Sequence, residues 1–308
     1  HGMSSADTAA LTRRVTLMSV ATAAILVSIK MAAWLASGST ALLASMADSG
    51  LDLVASLVTF FAVRYAAEPP DAEHRFGHGK AEAFASLVQG GLVFASAALI
   101  AREAVGDFLA PHPLRQEGWA VAVMAVSTVL TVMLLRAQTL VLRQTSSVAV
   151  SGDRAHYASD LASNIIALIG IAASAWLGVN GLDAAAAMVV AALLLWGAVG
   201  VFREASSQLM DQELSDEARA KIVALTVADG RLANVHQLRT RASGPYIHMQ
   251  MHVDLDPDIT LEAAHQAIVA AETRILKAFP AADILIHADP HGRAEPHGGA
   301  FAETAHSQ

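Results

Sequence analysis

Six apolar stretches, each near the roughly 20 residues that cross bilayer hydrocarbon, constrain this chain more than any other feature. They cover Val15–Ala36, Thr40–Tyr65, Ala83–Ala104, Trp119–Leu142, Ala155–Leu177 and Asp183–Phe202. With 54% hydrophobic and 16% charged residues and a mean hydropathy of +0.45, the chain is too apolar for an ordinary soluble protein. The fold class expected here is a membrane all-α six-helix bundle. Gly38-Ser39, Pro111, Pro113 and Asn180-Gly181 mark turns between spans.

The N-terminal segment 1–10 shows no cleavable signal pattern, and His1-Gly2 before Met3 reads as an expression remnant. Arg13, Arg14, Arg64, Arg75, Lys80, Arg136, Arg143, Arg154 and Arg203 fall at ends that six crossings place together. The opposite ends carry mainly Arg102 and Arg115. The positive-inside rule then puts both termini in the cytoplasm. Lys30, inside the first span, is the exception; it faces the protein or snorkels to the interface.

Two residue pairs interrupt the apolar pattern of the region 11–205. Asp48 and Asp52 lie four apart in the second span, and His156 and Asp160 do the same in the fifth. That spacing puts each pair on one helix face. Ionisable groups in hydrocarbon are costly and mark functional sites. Three carboxylates and an imidazole close a tetrahedral site for a divalent transition metal, zinc first. The alternative is a polar network joining two helices, but that role usually falls to Ser, Thr or Asn. Three acids would repel one another unless a cation or protons intervened. Because the same ligands bind protons, metal uptake and proton release are linked. The chain has no cysteine, so thiolate sites, disulfides and cysteine nucleophiles are excluded. A net charge of -8 with 13 histidines fits a cation handler and argues against nucleic-acid binding.

A second cluster falls in the loop PPDAEHRFGHGKAE, where Asp71, His74 and His78 sit within eight residues. A solvated polar loop is the plain alternative to a metal site there. From 206 to 290 the pattern changes to that of a small soluble domain. Ser215–Val227 and Thr260–Phe279 read as helices; Val235–Arg241, Tyr246–Leu255 and Asp283–His287 read as strands. The order αββαβ predicts an α+β layer with strands on one side. His236 and His252 on the strands, His265 on the second helix, and His287 with Asp289 at the last strand are candidate ligands of a binuclear site bridged by a carboxylate. His248 is a spare candidate, and 291–308, with His291, His297 and His306, reads as a disordered tail. No Walker loop and no HExxH occurs. Two rival functions remain: a membrane metalloenzyme, for which no general base beyond the ligands is evident, and a membrane-anchored divalent-metal sensor, which leaves the intramembrane acids unexplained.

The segments SMADSGLDLVASL, RYAAEPPDAEHRFGHGKAEAFASL, AHYASDLASNIIALIG and VHQLRTRASGPYIHMQMHVDLD together resemble the cation diffusion facilitators, in particular their bacterial zinc, cadmium and iron efflux type. The likeness spans about residues 10 to 290. It implies a homodimer in a bacterial inner membrane, with a metallochaperone-like cytoplasmic domain, exporting zinc in exchange for protons by alternating access. Cadmium, ferrous iron and manganese are other ions of such transporters. On matching positions it implies Asp48, Asp52, His156 and Asp160 as transport site and Asp71, His74 and His78 as loop site. His236, His252, His265, His287 and Asp289 would form the domain site, and Lys80 with Asp211 an inter-domain salt bridge. Ala155 departs from the larger apolar residue that this type often carries before the histidine.

Overall fold

The computed structural model describes residues 3–37, 40–109, 118–177 and 182–293. Six long helices come first: α1 (Ser5–Ser37), α2 (Thr40–Ala66), α3 (Ala81–Leu109), α4 (Gly118–Leu142), α5 (Val148–Leu177) and α6 (Leu182–Leu209). Among the described residues, five of them (α1, α2, α3, α4 and α6) are long and apolar enough to cross a membrane, and α5 is as long at 30 residues. The expected turns at Gly38-Ser39, Pro111, Pro113 and Asn180-Gly181 lie outside the described residues.

The helices outrun the apolar stretches because a helix does not stop where hydrocarbon stops. α1 begins ten residues before Val15, where Ser4 Oγ accepts the Asp7 N–H at 3.1 Å and caps the first turn. α5 begins at Val148, with Ser147 Oγ accepting the Val150 N–H at 3.3 Å. Large apolar side chains point outward, among them Leu51, Phe61, Phe84, Leu99, Met133 and Trp196. The interior holds small and polar ones, including Thr12, Thr16, Ser19, Ser56, Thr59, Ser86, Gln89 and Gln138. In lipid there is no hydrophobic drive between helices, so close packing and hydrogen bonds join them. Gly152 shows the packing: a Cβ there would stand 2.9 Å from Ser86 Oγ on α3.

Asp153 is the hub of that interior. It is fully buried and accepts hydrogen bonds from Ser19 Oγ at 2.5 Å, Gln138 Nε2 at 2.8 Å and Gln89 Nε2 at 3.1 Å. One turn on, the Tyr157 hydroxyl donates to the Ser19 carbonyl and bonds Ser56 Oγ at 2.7 Å. These two residues tie α5 to α1, α2, α3 and α4 on either side of His156.

The small domain follows the expected order: α7 (Asp216–Thr226), β1 (Ala233–Ser243), β2 (Tyr246–Leu255), α8 (Leu261–Ala278) and β3 (Ala282–Pro290). Ser215 caps α7 and Thr260 caps α8. The sheet order is β1-β2-β3, antiparallel then parallel. Ile247, Met249, Met251 and Val253 form one face and pack with Ala264, Ala267, Ala271 and Ile275 of α8. Both helices therefore cover this face, as the alternation along β2 predicts. Arg274 of α8 staples α7, donating to the Leu225 and Thr226 carbonyls and to Asp229.

The domain docks against the loop before α3. A Cβ on Gly79 would meet the Ser243 carbonyl oxygen at 2.0 Å, and one on Gly244 the Gly79 oxygen at 2.7 Å, so both positions require glycine. Asp211 sits at φ 55 and pairs with Lys80 at 3.0 Å and Arg241 at 3.1 Å. Burial raises the Asp211 carboxyl, but the Lys80 hydrogen bond and the charges of Lys80 and Arg241 outweigh it and leave it below its usual range.

Candidate metal centres

Among the described residues, three clusters of metal-capable side chains emerge. In the membrane region, α2 presents Asp52 and α5 presents His156 and Asp160, with one ligand atom of each mutually within 4.8 Å. His156 Nε2 lies 3.0 Å from Asp52 Oδ1 and 3.8 Å from Asp160 Oδ2. His156 is buried, whereas the two carboxylates are partly accessible. The i, i+4 spacing on α5 and the α2–α5 packing produce this convergence. Asp48, one turn before Asp52, is exposed and outside the three-residue group. Lys30, left open by the sequence pattern, turns into the protein: its Nζ donates to Ser49 Oγ at 2.6 Å.

In the loop, the Asp71 carboxylate organises the backbone before it meets the imidazoles. Oδ1 accepts the N–H groups of His74 at 2.6 Å and Glu73 at 2.9 Å. The His74 N–H above all holds the Asp71 carboxyl below its usual range, helped by the Glu73 N–H and the two histidines. Asp71 Oδ2 lies 3.2 Å from His78 Nε2, which is 3.1 Å from His74 Nδ1. Gly77, at φ 79, makes the turn that brings His78 back over His74. His78 is buried while Asp71 and His74 are open to solvent.

In the domain, cross-strand register builds the third cluster. His236 pairs with His252 and His252 with His287, a row of imidazoles across all three strands. Register shifts on both sides of His236, with Gln237 at φ 50, mark a bulge at this point of β1. Asp289 gathers the row: Oδ2 lies 2.8 Å from His252 Nδ1 and 3.1 Å from His236 Nε2, and Oδ1 lies 3.2 Å from His287 Nε2. Burial raises the Asp289 carboxyl, but the His252 hydrogen bond and the charges of His252 and His287, with the His236 hydrogen bond, bring it below its usual range. His265 is not part of this group. It is exposed on α8, which packs on the opposite face of the sheet.

Two histidines take other partners. His248 is buried, 3.1 Å from Asp283 and edge-on to Phe76 of the loop. His291, expected in a loose tail, is tied down: its N–H donates to the Leu255 carbonyl at 2.8 Å and its ring lies 3.2 Å from Asp254. His297 and His306 lie outside the described residues.

Fold and clusters define a multi-pass membrane protein with metal-capable groups inside the bundle, beside it and in an appended α+β domain. The cation efflux transmembrane domain matches residues 16–210, and the cytoplasmic domain of cation efflux proteins matches 214–291. The cation-efflux pump FieF of Serratia proteamaculans is 38% identical over 282 residues, covering 92% of this chain and 94% of that protein. FieF of Cronobacter sakazakii is 36% identical over 284 residues, with the same coverage of 92% and 94%. The solved zinc form of the transporter CzrB is 30% identical, covers 28% of this chain and 98% of that one, and superposes with a TM-score of 0.26. The chain belongs to the cation diffusion facilitator family. It is a cation efflux transporter by family, with a helical membrane region and a small α+β domain.

Proposed function

We propose that this chain exports a divalent transition metal, zinc first, in exchange for protons, as a homodimer in a bacterial inner membrane with both termini cytoplasmic. The observation that carries the reading is the meeting of Asp52, His156 and Asp160 between α2 and α5. One nitrogen and several oxygens suit zinc and also admit cadmium, ferrous iron or manganese. Asp48 is the fourth ligand in this reading, recruited as α2 shifts against α5. Carboxylate and imidazole ligands must shed protons to bind metal, so loading on one side releases protons and reprotonation on the other expels the metal. In this role the protein moves its substrate without converting it, and the ligands need no separate general base.

The loop cluster of Asp71, His74 and His78 is proposed as an exposed capture site. His236, His252, His287 and Asp289 are proposed to hold regulatory zinc, with Asp289 bridging. The sheet keeps His265 of the same chain away, so it joins a site only on contact between two copies. Relatives support the reading: FieF is named a cation-efflux pump.

Zinc flux into proteoliposomes under a pH gradient, wild type against Asp52→Ala, is the test. Flux that follows the gradient and is lost in the variant is expected. Absence of flux for zinc, cadmium, iron and manganese, with metal binding to the cytoplasmic domain intact, would leave a membrane-anchored sensor instead.

A further inference from the structure

Lys30 stands where an intramembrane cation has most effect. It sits half-buried in α1, and its Nζ is 2.6 Å from Ser49 Oγ. Ser49 follows Asp48 and precedes Asp52 by one turn of α2. Asp52 in turn touches His156. Thus α1 delivers a positive charge to the same constellation of acids that α2 and α5 assemble. A lysine near the end of a span usually turns its ammonium towards the interface. This one instead donates to a serine that is itself buried.

We propose that Lys30 is a tethered cation of the intramembrane metal site: it neutralises part of the carboxylate charge before metal arrives and is pushed aside by the incoming ion. The inference rests on the transport-site reading above. Clustered carboxylates in a low-dielectric region repel one another unless a cation or protons are present. A flexible ammonium meets that need without occupying a coordination position. When a divalent ion binds, the ammonium becomes a like charge nearby and lowers the ion's affinity. Lys30 therefore opposes overly tight binding, and so favours release. Its charge matters, and its exact shape matters less.

The test uses the full chain in nanodiscs with the loop and domain clusters disabled by His78→Ala and Asp289→Ala. Cobalt(II) is titrated at pH 8 and read by its visible ligand-field absorbance. Lys30→Gln and Lys30→Met should each bind about tenfold more tightly than this parent, while Lys30→Arg stays within about twofold. In proteoliposomes carrying otherwise wild-type chain, both neutral variants should lower KM for zinc and also lower the maximal rate. Unchanged or weaker cobalt binding in folded neutral variants overturns the proposal, as does tightening in Lys30→Arg equal to theirs. If the neutral variants unfold without metal, the proposal requires zinc to restore their melting temperature to that of the zinc-bound parent; failure of that rescue also overturns it. A parent that binds no cobalt overturns the transport-site reading itself, and this inference falls with it.

Discussion

At the scale of single residues, neighbours decide what each titratable group can do. Asp289 is at once the hydrogen-bond partner of two imidazoles, the close neighbour of a third and an acid held below its usual range. Replacing it by Asn removes the charge and one acceptor oxygen. Asp289→Asn is expected to remove zinc from the domain, read as a lower zinc-to-protein ratio by calorimetry, while flux at saturating metal persists. Asp229 shows the same principle away from any metal. The Arg231 side chain foremost, with the Arg231 N–H and Arg274, pulls its carboxyl down to about 2. A depressed carboxyl stabilises the fold fully above its ordinary range and loses that contribution as pH falls towards 2. Melting curves of wild type and Asp229→Asn should therefore differ near neutrality and converge as the pH falls to about 2.

What the sequence conveyed at this scale was residue type and spacing, and what it hid was orientation. Asp52, His156 and Asp160 were legible because a polar pair four apart in an apolar span has one simple geometry. The partner of Lys30 was not, because the choice between snorkelling and turning inward depends on which helix packs beside α1. Asp153 went unread for a narrower reason. The apolar pattern opens the fifth span at Ala155, whereas α5 begins at Val148 and already carries Asp153 in its buried face. The signal was present as Ser19, Gln89 and Gln138, polar residues inside three other apolar stretches. His291 was read as tail because its anchor, the Leu255 carbonyl, is distant in sequence.

At the scale of elements, the bundle is held by polar hubs and the domain by a greasy sheet face. Asp153→Ala would remove the acceptor shared by Ser19, Gln89 and Gln138; Ser19 and Gln89 keep the Val15 and Ala55 carbonyls, whereas Gln138 loses the acceptor of one buried N–H, at about 1–3 kcal/mol for a buried group left unsatisfied. The expected result is a large fall in melting temperature of the detergent-solubilised protein, with Asp153→Asn falling less. The contact between Gly79 and the β1–β2 hairpin is equally intolerant. Gly79→Ala sets a methyl 2.0 Å from the Ser243 oxygen, so the hairpin must retreat. Limited proteolysis at the loop should be faster in that variant, with the secondary structure of the isolated elements retained in circular dichroism. The existence and order of helices and strands were legible because periodicity reports them directly, whereas their ends were not. The docking of loop on hairpin was not, since its signature is only a pair of glycines in segments far apart in sequence.

For the whole molecule, the α+β domain and the bundle meet through backbone contact at Gly79 and Gly244 and through ionic contacts around Asp211. The Lys80–Asp211 pair is well exposed to solvent, so Lys80→Ala is expected to cost no more than about 1 kcal/mol in stability. The clusters lie in three different settings: between helices, in a loop beside them, and across a sheet. Those of the loop and the domain share no ligand, so metal held by one need not occupy the other.

The imidazole row has a temporal consequence. Its members come from strands that leave the ribosome at different moments, and β3, which supplies His287 and the gathering Asp289, follows α8 and emerges last of the three. His236 and His252 can pair as soon as the hairpin forms, yet they lack the carboxylate that joins them. Because β3 runs parallel to β2, it can pair only once the connecting α8 crossover has been made. On the proposed reading, metal capture by this domain becomes a late event in biosynthesis: a nascent chain halted within α8 holds half of a clasp, and only a chain carried through Asp289 can shut it.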